Sequence, residues 1–168
     1  IFAINPDGTE VDGFPLVLGE KIKSGIALHD FNDDGKDDLV VGTDNDNLYL
    51  IYHDGTIATG FPFNVNDKIQ TSPIVKRHGM EDIIFTGSND HVFYAINGDG
   101  TLRFSFIAEN KIQTSPSILN HAGSSYVFFG SDDKIHMFDM GGTSLSNWPI
   151  SVNGEVSGSI VFSDIDGD

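Results

Sequence analysis

The chain contains no cysteine. That excludes a disulfide framework, a zinc–thiolate centre and a thiol nucleophile together. Positive charge is also scarce: 9 Lys and Arg stand against 25 Asp and Glu, a formal net charge of −16. Nucleic acid is therefore not expected as a partner, because its phosphates are bound by Lys and Arg that displace counterions. Anionic membrane surfaces are disfavoured for the same reason. No apolar run approaches the ~20 residues of a membrane-spanning helix, so no membrane insertion is expected. The opening stretch, Ile1 to Thr9, has no basic region or cleavage site of a secretory signal. Long 3.6-residue periodicity is missing, which argues against a helical domain. Neither a Gly-x-Ser-x-Gly elbow nor a His-Glu-x-x-His motif occurs. The six His are scattered and read as strand or turn residues.

What is present is a globular composition, 39% apolar with 13 Phe, arranged in repeats. "KIQTSP" occurs at Lys68–Pro73 and again at Lys111–Pro116, with relatives at Lys21–Gly25 and Glu155–Ser159. Gly-Thr recurs at Gly8-Thr9, Gly55-Thr56, Gly100-Thr101 and Gly142-Thr143. An aromatic-Pro pair recurs at Phe14-Pro15, Phe61-Pro62 and Trp148-Pro149, with Phe104-Ser105 as the departure. Apolar runs end in Gly42, Gly87 and Gly130.

Each repeat reads as four short β-branched and aromatic strands separated by Asn/Asp/Gly turns. In the first repeat the strands are "SGIALHD", "DLVVGT", "NLYLIY" and a fourth held between Thr56 and Phe61. Four strands per ~40–50 residues is the spacing of a propeller blade. A two-sheet sandwich accounts for the strand count but not for the near-identical repeats. The expected fold is all-β: a β-propeller of four-stranded blades over residues 1–168, with about four repeats. The blades span about 24–65, 71–108 and 114–152, and a split blade is formed by 157–168 plus 1–18. Such a chain reads as part of a seven- or eight-bladed ring, with a homodimer closing the ring as the alternative.

Charge concentrates between Asp30 and Asp38, in "DFNDDGKDD". Counting Asp30 as the first position, Asp30, Asn32, Asp34 and Asp38 fall at alternating places, and Gly35 permits a sharp reversal. Alternate oxygens on one turn suit a hard divalent cation such as calcium, with a backbone carbonyl at Lys36 as a further ligand. The first half matches an EF-hand loop. The second half does not, because Val41 stands where that loop needs a bidentate Glu, and the flanks read as strands.

This loop between two strands, in a chain of blade repeats, resembles the FG-GAP (VCBS) repeats that also build the propeller of integrin α subunits. The resemblance implies calcium held by Asp30, Asn32, Asp34, the Lys36 carbonyl and Asp38, with Asp33 and Asp37 facing water. It implies a partial second metal loop at Asp164, Asp166 and Asp168. The corresponding stretches "KRHGMED" and "NHAGSS" have too few carboxylates, and no metal is expected there. It further implies an extracellular or cell-surface, non-enzymatic module that binds protein or carbohydrate in adhesion. A part of a secreted propeller-type enzyme, such as a polysaccharide lyase or hydrolase, is the alternative. Asn89 to Phe104 also resembles the blades of quinoprotein-type propellers, which implies shared architecture and no quinone.

One further set stands out. Lys21, Lys68 and Lys111 occupy the same repeat position, with Gln70 and Gln113 close by. In an up-and-down blade, the loop before the first strand shares a face with the turn between the second and third. These residues are therefore expected to line the axial mouth and contact an anionic or polar ligand.

Overall fold

The structure is a computed structural model and describes residues 1–163. Twelve strands form three four-stranded antiparallel sheets. Blade A is β1 (Ile26–His29), β2 (Asp38–Gly42), β3 (Asn47–Ile51) and β4 (Phe63–Asn64). Blade B is β5 (Ile74–His78), β6 (Glu81–Gly87), β7 (Val92–Asn97) and β8 (Leu102–Ile107). Blade C is β9 (Ser117–His121), β10 (Ser124–Ser131), β11 (Lys134–Asp139) and β12 (Ile150–Ser151). Within each sheet the strands follow chain order, so every blade is an up-and-down meander.

The middle strands of each blade are buried on both faces. Val40, Leu48 and Leu50 of blade A pack with Ile84, Tyr94 and Ile96 of blade B. Ile83, Phe85 and Phe93 of blade B pack with Val127, Phe129 and Phe138 of blade C. Adjacent residues on one strand thus point to opposite neighbours, as the two-residue period of a strand requires. These strands consequently read as continuous apolar runs.

The repeat markers are explained by how the blades meet. Gly87 ends β6 where Ile112, leading into the next blade, crosses it; a Cβ on Gly87 would lie 2.2 Å from Ile112 Cγ2. Gly42 and Ile69 repeat the arrangement at the same distance. The Thr of "KIQTSP" ties each entry segment to its own blade: Thr71 Oγ1 donates to the Gly87 carbonyl at 3.0 Å, and Thr114 Oγ1 to that of Gly130 at 2.7 Å. The Ser links blades, since Gly25 N donates to Ser72 Oγ and Ser72 N to Ser115 Oγ, each at 2.9 Å. The recurrence of "KIQTSP" is thus largely an inner-ring fastening.

Two expectations need correction. The fourth strand of blade A is not within Thr56–Phe61. That segment makes one isolated bridge, Ile51 with Ile57, then turns, and strand pairing resumes at Phe63–Asn64. The interruption falls at Gly60, in a left-handed conformation (φ 88°), followed by Pro62, which has no N–H to donate. The N-terminal piece of the split blade forms no regular strands either. It is a hairpin with one bridge, Ile4 with Glu10, a turn closed by Asn5 N to Thr9 O, and a return hydrogen bond from Leu16 N to Ile1 O. It still packs as a blade face: Ile1, Ala3, Val11 and Leu16 lie against Phe14, Val41 and Tyr49. Residues 157–163 of the other piece contain no strand.

Candidate functional site

The acidic loop joins β1 to β2, and its ends are closed by the register pair His29 with Asp38. Gly35 (φ 84°) and Asp33 (φ 58°) supply the left-handed turns that reverse the chain. Asp30 orients the loop: Oδ1 accepts from Asp34 N at 3.1 Å and Oδ2 from Gly35 N at 2.7 Å. Burial raises the Asp30 pKa, but four backbone N–H groups, from Gly35, Asp34, Asp33 and Asn32, outweigh it and hold the carboxyl below its usual range. Asn32 Oδ1 also accepts from Asp34 N, and Asp34 Oδ1 accepts from Lys36 N at 2.9 Å. Asp38 is completely buried, with Oδ2 accepting from Phe31 N at 3.0 Å and Oδ1 from His53 N at 2.9 Å.

Two basic side chains meet this loop that sequence reasoning did not associate with it. His53, from the turn after β3, places Nδ1 3.1 Å from Asp34 Oδ2 and 3.9 Å from Asp38 Oδ1. That buried nitrogen makes no hydrogen bond of good geometry. Its Nε2 lies 3.0 Å from Lys36 Nζ; an ammonium can only donate, so the ring proton is assigned to Nδ1. Arg77, from blade B, reaches across the blade boundary. Nη1 donates to Asp33 at 2.7 Å, while Nε and Nη2 grip Asp82 at 2.9 and 2.8 Å. His29 Nε2 lies 2.8 Å from the same Asp82 carboxylate. Asp33, expected to face water, is exposed but paired. Counted along β5, Arg77 holds the place that Asp30 holds in blade A, but only the packing of the blades shows that it meets Asp33.

The donor chemistry of the loop fits a hard cation: oxygens on alternate residues, each carboxylate with lone pairs left over after its N–H contacts. The Nδ1–H of His53, beside Asp34 and Asp38, would compete with a cation for the same carboxylate oxygens. The side chains are also turned towards backbone amides and basic neighbours. Among the described residues no three His, Cys, Asp or Glu side chains gather closely enough to enclose an ion. In blades B and C the equivalent loop is cut to a tight turn, with His78 paired to Glu81 and His121 to Ser124. Asp164, Asp166 and Asp168 lie outside the described residues.

Two of the three entry loops are tied to the turn after a second strand. Asp44 N donates to the Lys21 carbonyl at 2.8 Å and Asn89 N to that of Lys68 at 2.9 Å, so the entry loop and the turn after the second strand share a face. Gln70 Nε2 donates to Asp44 Oδ1 at 2.6 Å, and Gln113 Nε2 lies 3.5 Å from Asn89 Oδ1. The glutamines are thus engaged between blades. Lys21, Lys68 and Lys111 are exposed, and none forms an ion pair among the described residues. Lys23, in the repeat position of Gln70, was missed; its Nζ lies 3.2 Å from Asp44 Oδ2. The hydrogen bond from Gln70, aided by Lys23 and the charge of Lys68, holds the Asp44 carboxyl below its usual pKa.

No family model matches this chain, and no curated protein matches it. Solved structures do. BamB from Moraxella catarrhalis aligns at 17% identity with a TM-score of 0.60, over 80% of this chain and 38% of BamB. BBS1N, solved in complex with ARL6DN, aligns at 17% identity and a TM-score of 0.57, over 83% of this chain and 43% of its own. A protein from Bacteroides caccae aligns at 16% identity and 0.55, over 96% of this chain and 57% of that one. This chain therefore spans less than two thirds of each. BamB and BBS1N are β-propellers. With three up-and-down sheets packed face to face, the likeness establishes the architecture: these are four-stranded blades of an all-β propeller.

Proposed function

We propose that the chain is a calcium-clipped, non-enzymatic propeller module of the FG-GAP type, presenting an extracellular surface to a protein or carbohydrate partner. The observation that carries this reading is the loop from Asp30 to Asp38, which concentrates hard oxygen donors between two strands already paired at its mouth. Asp30, Asn32, Asp34, Asp38 and the Lys36 carbonyl would hold the ion. Its charge would offset the repulsion among the carboxylates and fasten the hairpin of β1 and β2.

The test is thermal unfolding with calcium and with a chelator, alongside calorimetric titration. A ligand that binds the folded state stabilises it by RT ln(1 + [L]/Kd), about 2.7 kcal/mol at a hundredfold excess over Kd. Calcium should raise Tm for the wild type and leave Asp30→Ala unmoved. An identical Tm in calcium and chelator sinks the reading.

In this reading the partner meets Lys21, Lys68 and Lys111, whose ammonium groups form no ion pair among the described residues and would contact anionic groups. Replacing all three with Glu should abolish capture of a partner found by glycan and protein screening; unchanged capture moves the binding surface elsewhere. Phe2, Val17 and Val161 expose apolar surface at the two ends of the blade array. Further blades, from a longer chain or a second copy, would pack there, and native mass distinguishes the two sources.

A further inference from the structure

The third strands of the three blades place Tyr49, Tyr94 and His136 at one equivalent position. The two tyrosines reach carboxylates: Tyr49 Oη donates to Glu20 at 2.8 Å and Tyr94 Oη to Asp90 at 2.7 Å. Tyr94 also packs edge-on against Phe63 of the preceding blade at 5.8 Å. At the next boundary Phe106 repeats Phe63 and lies 4.9 Å from His136, but the imidazole is shorter than a phenol. It is 94% buried, stacked on Phe129 at 4.8 Å, and makes no hydrogen bond to a described residue. A second contraction accompanies the first, since Ala108 takes the place of Val65.

These two smaller side chains leave a cavity of about 160 Å³ between blades B and C. Phe106, Ile107, Ala108 and Pro149 give it apolar walls, and His136 faces into it. The ion pair of Lys134 and Glu109, 2.6 Å apart, stands at its rim. Ile107 is 76% exposed beside the opening. A cavity of ~150 Å³ is enough to admit one benzene ring. Burial, reinforced by nearby Lys134, pushes the His136 pKa down to about 4, so at neutral pH the ring is uncharged and can both donate and accept.

We infer that this cavity is a binding site for a single hydroxylated aromatic ring: a phenol, which the other two blades supply from their own tyrosines. The ring lies against Phe106 and Pro149, and the hydroxyl bonds His136 and the Glu109 carboxylate, as the Tyr49 and Tyr94 hydroxyls each bond a carboxylate. This site is independent of the calcium loop.

Phenol is the probe, followed by heteronuclear NMR on the full chain. Saturable shifts should centre on Ala108, Glu109 and His136, and phenol should bind at least tenfold tighter than benzene. His136→Tyr and Ala108→Val, checked for folding by thermal melting, should each weaken phenol binding at least tenfold by filling the space. Acetyl-tyrosinamide then identifies the source. Competition with phenol assigns the site to a tyrosine side chain of a protein partner, and phenol binding without competition assigns it to a small phenolic molecule. No saturable binding to wild type, equal affinity for benzene and phenol, or undiminished binding by the folded variants overturns the proposal. The wild-type comparison of phenol and benzene stands even if a variant does not fold.

Discussion

The boundary between blades A and B and the boundary between blades B and C are built to one plan and closed by different means. At A/B the aliphatic contacts of Val40, Leu48, Ile69 and Ile84 are supplemented by a polar clamp across the seam: Arg77 bridges Asp33 and Asp82, and His29 shares Asp82. At B/C the polar links are separate single contacts: Lys76 Nζ donates to Asn120 Oδ1 at 3.0 Å, Arg103 Nε to the Met140 carbonyl at 2.8 Å, and Lys134 pairs with Glu109. This seam is also the more aromatic: A/B has Phe63 against Tyr94, whereas B/C has Phe93 stacked on Phe129 at 4.1 Å with Phe106, Phe138 and His136 grouped around them. The difference teaches how a degenerate repeat can drift. The inner fastening by Ile, Thr, Ser and Gly is kept at both seams, while the outer part is free to become a charge network in one place and an incompletely filled aromatic cavity in the other.

The largest effect should come from the aromatic seam. Phe129 is fully buried, and Phe129→Ala should cost about 3–5 kcal/mol, the range for removing a large core aromatic. Ile69 is equally buried against Gly42 at the other seam, and Ile69→Ala should cost about 2–5 kcal/mol. Urea denaturation measures both. If Phe129→Ala proves the milder change, blade C is already loosely attached and the contrast between the seams is misdrawn.

Asp82→Asn probes the clamp through pH. Burial raises the Asp82 pKa, but hydrogen bonds from Arg77 and His29, together with their charges, outweigh it and hold the carboxyl below its ordinary value. A carboxyl with a lowered folded pKa adds stability that is fully present above its unfolded pKa of about 3.9 and is lost as pH falls through the folded value. Wild type should therefore melt above Asp82→Asn at pH 7, with the gap narrowing below about pH 4. A gap that stays constant down to pH 3 would show that the clamp contributes shape and not charge.

Much of this was legible in the sequence because the blade is a local meander. Strands pair with their chain neighbours, so "IALH", "DLVVG" and "NLYLI" could be placed from alternation and turn residues alone. The fourth strand was misplaced because Gly60 and Pro62 break the pairing after a single bridge, and such a break has no hydrophobic signature. The acidic loop was legible because its donors lie within nine residues. Its basic neighbours were not, since Arg77 and His53 arrive from another blade and another turn. His136 was visible as a residue but not as a site: its meaning appears when its strand is superposed on those of Tyr49 and Tyr94.

The smallest effect is also the one most specific to the comparison. Ala108→Val restores at B/C the residue that A/B has as Val65, adding two methyl groups to the wall of the cavity beside His136. If the cavity is empty space left by contraction, the added carbons meet Phe106 and Pro149 without displacing them. Filling a cavity of this kind contributes about 0.5–2 kcal/mol, and two methyls belong at the lower end. A rise in Tm together with weaker phenol binding would show that stability at this seam has been given up for an open site. A fall in Tm would mean that the walls are already in contact and that the seam is packed as tightly as its neighbour, which would remove the distinction between the two boundaries.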